Sequence, residues 1–374
     1  MKVVFAPDSY KGSLSSIQVA EIMKKAWHSV IPDSENIMKP MADGGEGTLE
    51  VFSTSVPHEK VHFSCKGPLG EERESWYVKL EDGLAVIEGA EIAGLPLVPT
   101  EKRNPDHTTS YGIGQAIHHA LDEGCTNLIV AIGGSSTNDG GLGMLQALGM
   151  KTYDENNQET GMYGKDLHAV KRVDFSKLDS RLKDVTIRVA SDVDNPLTGN
   201  RGASHIYGPQ KRATEQQVYA YDHALDHYGK LIEEVLGKNI MNTPGAGAAG
   251  GLGFAFLTIG ALLESGAKLV GEAIKLHDAI RDADYVITGE GQSDEQTLYG
   301  KAPGYVAELA KDNHTPVILL SGSLGTNYGA LNERFTSCYS IAPGPVSLEN
   351  CLKNAEEYLF ETTRQIARLI ITKQ

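Results

Sequence analysis

The sequence predicts an α/β fold of two domains, and three observations carry that expectation. Short apolar runs alternate with amphipathic helical stretches at both ends of the chain, the pattern of a parallel sheet covered by helices. The middle breaks this rhythm with paired strands around a Gly-Pro turn. The length of 374 residues suits two domains at roughly 100–200 residues each.

The elements follow in order. Val3 to Ala6 reads as a buried strand stopped at Pro7, and Leu14 to Val30 as a helix with Ser13 as its N-cap. Residues 63–90 read as antiparallel strands around Gly67-Pro68-Leu69-Gly70. A helix near Gly112 to Glu123, strands at Leu128 to Ile132 and Thr186 to Ala190, and a polar helix over Glu215 to Leu236 complete the middle. The C-terminal third returns to the opening grammar. It has strands at Ala283 to Thr288, Val317 to Leu320 and near Tyr339 to Ala342, with helices near Pro303 to Lys311 and from Ser347 onward. The middle therefore reads as an insertion, 63–285, into a discontinuous domain made of 1–62 and 286–374, with the active site expected in the cleft between the two.

Composition narrows the function. A net charge of −15 argues against a nucleic-acid or membrane surface, which needs a basic field. An anionic ligand must instead find local lysines, arginines or helix N-termini. No apolar run approaches the ~18 residues of a membrane helix, and the apolar start is too short for a signal peptide, so the expected location is cytoplasmic. The cysteines at 65, 125, 338 and 351 have no C-x-x-C spacing and read as free thiols. Glycine is the unusual residue, with 41, about 11% against a typical ~7%, gathered at particular turns.

Six segments hold those turns beside chemistry-bearing side chains. Asp8-Ser9-Tyr10-Lys11 follows the first strand, where α/β proteins place ligands. Asp8 offers a carboxylate, Lys11 a point charge for a carboxylate or phosphate. Asp43-Gly44-Gly45-Glu46-Gly47 adds two acids among three glycines. The clearest segment is Gly133-Gly134-Ser135-Ser136-Thr137-Asn138-Asp139-Gly140-Gly141, between a strand and a helix. It is an anion cradle of backbone N–H groups and hydroxyls, with Asp139 as a candidate Mg²⁺ ligand. It is not a P-loop, since G-x-x-x-x-G-K-[ST] occurs nowhere in the chain. Asp192 and Asp194, two apart at a strand end and followed by Asn195, suit a base and a metal ligand. Gly245, Gly247 and Gly250 spell G-x-G-x-x-G without a preceding strand, so close packing explains them better than a dinucleotide. Gly289-Glu290-Gly291 leads to Asp294 and Lys301, and Lys211 in Gly208-Pro209-Gln210-Lys211 is a second candidate for balancing phosphate charge. A solvated surface position is the ordinary expectation for either lysine.

In this order, Ala6-Pro7-Asp8-Ser9, Ala42-Asp43-Gly44-Gly45-Glu46-Gly47-Thr48, Ile132-Gly133-Gly134-Ser135 and Gly289-Glu290-Gly291 resemble the type I glycerate kinase family over nearly the whole chain. The resemblance implies ATP- and divalent-metal-dependent phosphorylation of D-glycerate, commonly to 2-phosphoglycerate and in some members to the 3-phospho product. It also implies a flavodoxin-like domain and a second domain with a restriction-endonuclease-like fold. On this basis Asp192, Asp194 and Lys11 are the catalytic candidates. Asp8, Ser9, Lys11, Asp43, Glu46, Asn195 and Lys301 are expected to bind substrate. Gly133 to Asn138, Gly140, Gly141, Gly289 and Gly291 are expected to bind ATP, with Asp139 and Asp294 on Mg²⁺.

Two departures from the family pattern stand out. G-E-G-R-[IL]-D appears with Gln292 and Ser293, and G-P-Q-K-G-A with Arg212 in place of glycine, so Arg212 is a candidate to restore a lost charge. Two other classes of function compete. One is a nicotinamide-dependent oxidoreductase of a small hydroxy acid using 245–250; the other is a non-catalytic sensor of small acids.

Overall fold

A computed structural model describes residues 1–372, and the chain divides into two compact units. The first comprises Met1–Asp43, Glu50–Val56 and the chain from Ser265 onward; the second comprises Gly44–Leu49 and Pro57–Glu264. The divisions lie earlier than the 62/63 and 285/286 positions read from the sequence. His58–Lys66 pairs along its whole length with Glu72–Leu80 and so belongs to the second unit. The helices Gly266–Ala273 and Leu276–Arg281 pack on the helix Ala302–Asp312 and so belong to the first.

The first unit is built on five parallel strands in the order Ser337–Ser340, Val317–Ser321, Tyr285–Thr288, Lys2–Phe5, Glu35–Met38. Numbered along the chain this is 5-4-3-1-2, the flavodoxin-like winding, whose direction reverses between the strands Lys2–Phe5 and Tyr285–Thr288. The central strands are apolar runs because both of their faces are covered; Val3, Val4 and Phe5 are fully enclosed. The first helix is Ser16–His28, starting two residues later than read from the sequence. Its N-cap is Ser15 rather than Ser13, in a reciprocal capping box with Gln18. Ser13 instead donates its hydroxyl to the Tyr10 carbonyl and closes the preceding turn. Trp27 of this helix stands edge-on to Phe5 at 6.1 Å between ring centres, and the helix Ala355–Ile371 packs alongside.

The second unit holds a six-stranded mixed sheet in the order Leu262–Glu264, Thr186–Ala190, Asn127–Ala131, Leu84–Glu88, Glu72–Leu80, His58–Lys66. The first four run parallel and the last two form an antiparallel hairpin on Leu84–Glu88. The helix Glu215–Leu236 occupies the residues its periodicity predicts, opened by a Thr214–Gln217 capping box and closed by Gly237.

The G-x-G-x-x-G run lies on the turn that opens the helix Ala248–Thr258, with no strand before it. Gly250, at φ +76°, lies so close to the Thr137 carbonyl that a Cβ would collide with it, and its own carbonyl accepts from the Gly140 N–H at 3.0 Å. Gly247 is pressed against the Pro196 carbonyl and Gly245 against Leu263, so all three glycines are taken up by close packing, which removes the feature behind the nicotinamide reading. Arg212 ends the short helix Pro209–Lys211 in the left-handed region, at φ 61°. A glycine adopts that conformation without the Cβ penalty, which is a physical reason for glycine in the family pattern.

Two substitutions test this backbone reading in opposite directions. Gly250→Ala should destabilise the protein by more than the ~1–2 kcal/mol of a left-handed residue, because the collision adds to it. Arg212→Gly should leave the melting temperature unchanged or slightly raised. Thermal unfolding of both variants checks the contrast.

Candidate functional site

The first unit places its chemistry at the carboxyl edge of its sheet, at the winding reversal. Two backbone bonds lock the segments there: Ala6 N–H to the Ile287 carbonyl and Asp8 N–H to the Gly289 carbonyl, both 2.8 Å. Gly289 is pressed against the Leu320 carbonyl, where any Cβ would collide. Asp8 is thereby held in a nearly enclosed position, its carboxylate accepting the Ser9 N–H at 2.6 Å. Burial raises its pKa to about 7, with the negative charges of Asp43 and Glu290 acting the same way. Lys11 is exposed and reaches Asp43 at 3.1 Å, and that neighbouring charge raises the lysine's pKa. Glu290 is engaged from three sides, by Ser293 Oγ at 3.1 Å, Thr297 Oγ1 at 2.6 Å and Lys301 Nζ at 3.3 Å. Ser293 in turn meets Ser321 Oγ at 2.7 Å. Asp294 is an N-cap, accepting the Gln296 N–H at 2.9 Å. Gln292 is exposed on a two-residue bridge to Ser323.

The second unit gathers its motifs at the carboxyl ends of its four parallel strands. Gly44 lies so close to Ala190 that a Cβ would collide, and its carbonyl accepts the Gly133 N–H at 3.1 Å. Glu88, the buried last residue of its strand, accepts the N–H groups of Gly47 at 3.1 Å and Leu49 at 2.9 Å. Glu46 points outward and is exposed.

The loop from Gly133 is pinned from below. Leu95 N–H donates to the Gly134 carbonyl, and Ser136 donates both its N–H and its hydroxyl to the Ala93 carbonyl. Asp139 is fully enclosed and accepts four bonds: Ser110 N–H at 2.9 Å, Ser110 Oγ at 2.6 Å, Gly141 N–H at 3.1 Å and Gly143 N–H at 3.3 Å. Burial pushes its pKa upward and these donors pull it down. Such a carboxylate holds the loop and the start of the next helix, with its oxygens already committed. The exposed face of the loop is at Gly134, with Gly133 half-exposed.

The strand Thr186–Ala190 ends beside this loop and leads to Asp192 and Asp194, both exposed. Asp194 is held by both oxygens on Arg201 Nη2, at 2.8 Å each. Asn195 is locked as well, its amide donating to the Arg201 carbonyl at 2.8 Å and accepting the Tyr207 hydroxyl at 2.7 Å.

Comparison with known proteins decides the family. The glycerate kinase family model matches residues 3–371. The chain is 45% identical to glycerate kinase of Halalkalibacterium halodurans over 98% of this chain and 97% of that one. It is 44% identical to glycerate 2-kinase of Escherichia coli K12, again over 98% and 97%. A crystal structure from Salmonella typhimurium LT2, provisionally named glycerate kinase 2, superposes with a TM-score of 0.88 at 42% identity, covering 100% of this chain and 99% of that one.

The chain belongs to the glycerate kinase family. In this glycerate kinase fold the sequence motifs sort by unit. Asp8, Ser9, Lys11, Asp43, Gly289, Gly291, Asp294 and Lys301 belong to the first, and Glu46, the loop 133–141, Asp192, Asp194 and Asn195 to the second. Two buried residues were not among the sequence candidates for binding or catalysis, Glu88 and Ser110, and Lys211, a candidate for balancing phosphate charge, is buried rather than at the surface. Glu88 closes an apolar strand, a position where a carboxylate is unusual, and that was its only signal. Ser110 had none.

Asp8 yields a stability prediction with a definite sign. Its carboxyl ordinarily titrates at 3.8 and in the folded protein at about 7. Between these values the folded protein holds a proton that the unfolded chain releases. The contribution is complete below about pH 4, declines as pH rises to 7 and is lost above it. Asp8→Asn should therefore unfold at a higher temperature than the unmodified protein at pH 8, by an effect on the order of a few kcal/mol. The gap should close toward pH 4. Melting curves at pH 4, 6 and 8 check it, and a gap independent of pH would contradict it.

Proposed function

We propose that this chain transfers the γ-phosphoryl group of ATP to the 2-hydroxyl of D-glycerate, yielding 2-phosphoglycerate and ADP. The supporting observation is the near-complete alignment with glycerate kinases, including a glycerate 2-kinase, together with retention of the motif segments at two carboxyl edges. The glycine-serine loop 133–138 takes the phosphates, by the argument of backbone N–H groups at a strand-to-helix turn. No helix among the described residues is long and apolar enough to cross a membrane, and the charge of −15 suits small-molecule rather than nucleic-acid chemistry. A cytoplasmic location accords with this reading.

The geometry supports the following residue roles. Asp8 is the proton acceptor for the glycerate hydroxyl, because a general base works best with a pKa near the working pH and its own is about 7. This role suits Asp194 less, since that carboxylate is exposed and occupied by Arg201. Asp192 remains a candidate at the exposed strand end. Lys11 receives the glycerate carboxylate, exchanging its contact with Asp43 for the substrate. Lys301 and Glu290 form a fixed pair that orients the 289–301 segment.

A divalent cation fits the first edge on chemical grounds. Asp8, Asp43 and Glu290 share a region where their charges repel, and Mg²⁺ takes one or two carboxylate oxygens beside phosphate oxygens. Asp43, which Lys11 also contacts, is the ligand this reading favours, because Glu290 already accepts three bonds, Asp294 is an N-cap and Asp139 is enclosed by its own donors. Bound there, Mg²⁺ would supply neutralisation of phosphate charge.

An ADP-release assay across glycerate, lactate, tartronate and glycolate tests the substrate, with phosphorus NMR identifying the product. Glycerate should give the highest kcat/KM and 2-phosphoglycerate as product. Turnover should vanish in excess EDTA and return with Mg²⁺ or Mn²⁺; full activity in EDTA refutes the metal requirement. Lys11→Ala should raise KM for glycerate more than KM for ATP, and a defect confined to ATP would move Lys11 to the phosphates.

A further inference from the structure

Lys211 is enclosed, at 1% exposure, and lies beneath the glycine-serine loop. Its Nζ donates to Ser135 Oγ at 3.1 Å and to the Thr137 carbonyl at 2.5 Å. An ammonium has three donors, and these two bonds are the ones it makes among the described residues. No carboxylate among those residues comes within ion-pair distance of it. In the loop it contacts, Thr137 Oγ1 and Asn138 Oδ1 are buried without a hydrogen-bond partner, a condition native structures seldom tolerate unless a ligand or water completes it. The Asn138 amide bonds Ser204 Oγ at 3.0 Å. Turned over, it keeps that bond with the hydroxyl as donor and presents its NH₂ instead. The segment 135–138 thus holds the contacts of a buried amine with a spare donor, an unpartnered hydroxyl and a reversible amide, in a loop whose outer face is open at Gly134.

We propose that Lys211 is the buried cation of this cradle, fixing the loop through Ser135 and Thr137 and meeting the charge of a bound polyphosphate. The inference rests on the reading that the loop takes the phosphates of ATP, and goes beyond it in assigning the counter-charge to an enclosed side chain. A purely structural peg would be served by a neutral donor. An ammonium in a low-dielectric site without an ion pair is costly and is best explained by an anion that arrives later. The titratable surroundings fit this. Burial brings the Lys211 pKa down to about 7, and Asp139 on the loop opposes that fall. The Tyr207 ring lies 6.0 Å away on the helix Ala203–Tyr207, and Tyr221 and Tyr228 of the helix Glu215–Leu236 share the field of Asp139. On its own segment Arg212 is exposed. An entering polyphosphate favours the ammonium, so binding above pH 7 takes up a proton.

Lys211→Met keeps the length and removes the charge. MgATP binding by calorimetry, both Michaelis constants and the melting temperature are measured on the full chain. The expected result is ATP affinity weakened about ten- to a hundredfold, the worth of one charged hydrogen bond. KM for glycerate should change less than about twofold on the same scale, and the melting temperature should stay level or rise. At pH 8 the unmodified protein should take up nearly one proton per MgATP, read from buffers of different ionisation enthalpy, and Lys211→Met none. Undiminished ATP affinity in the variant overturns the proposal, as does a fall in melting temperature with both Michaelis constants affected alike. If the variant does not fold, proton uptake by the unmodified protein decides: uptake supports the proposal and its absence overturns it. Failure of the kinase reading is seen separately, as an unmodified protein that neither binds nor turns over ATP.

Discussion

A carboxylate buried without a cation must be surrounded by donors, and Asp139 meets that requirement with two bonds from Ser110 and two from the backbone of Gly141 and Gly143. Those bonds tie the end of one segment, the turn of the loop and the start of the helix Leu142–Ala147 to a single point. The surrounding architecture follows from holding that point in place. Gly250 and Gly251 are glycine because their backbone passes Thr137, Asn138 and Gly140 too closely for a Cβ. Gly44 exists as glycine because another backbone must pass Ala190. With the loop gripped on these sides, its remaining polar atoms are aimed rather than free, which is what an anion cradle needs.

The first unit solves a different electrostatic problem. Asp8, Asp43 and Glu290 are brought near one another by the winding reversal, and their mutual repulsion is only partly relieved by Lys11 and Lys301. The chain tolerates this because Glu290 is wrapped by hydroxyls and a lysine, and because Asp8 remains protonated over much of the acidic range. Retained repulsion of this kind marks functional sites, where a charge is held ready for a ligand at some cost in stability. The two edges differ in character: one is an acidic cluster with two lysines, the other a hydroxyl- and amide-lined loop over a buried amine.

Much of this was legible in the sequence because its signals are local. Alternating apolar runs and helical periodicity marked the strands and the helix Glu215–Leu236. Glycine beside charge marked the loops. The N-cap was misplaced by two residues because Ser13 and Ser15 both offer a hydroxyl, and only the Gln18 side chain reaching back selects Ser15. Asp139 read as a metal ligand because sequence shows the residue type but not the four donors around it. Asp192 and Asp194 read as a pair because they are two apart at a strand end, yet Arg201, seven residues beyond Asp194, takes the second of them. Lys211 reads as a candidate for phosphate charge with a solvated position as the ordinary expectation, and its enclosure has no sequence signal because burial is not a local property.

Fold class, the strand-loop-helix segments, the glycine turns and the family are written in the order of residues, since each depends on residue type at short spacing. Which side chains face inward, and what they touch, is set by folding in three dimensions. Glu88 and Ser110 have no signal of their own, and they matter because strand order and helix packing deliver the 47–49 backbone to one and Asp139 to the other. The same folding enclosed Lys211 and kept every carboxylate among the described residues beyond ion-pair distance of it. Charge, burial and partner are set by contacts between residues tens to hundreds of positions apart, and desolvation acts on that arrangement rather than on the order of the chain.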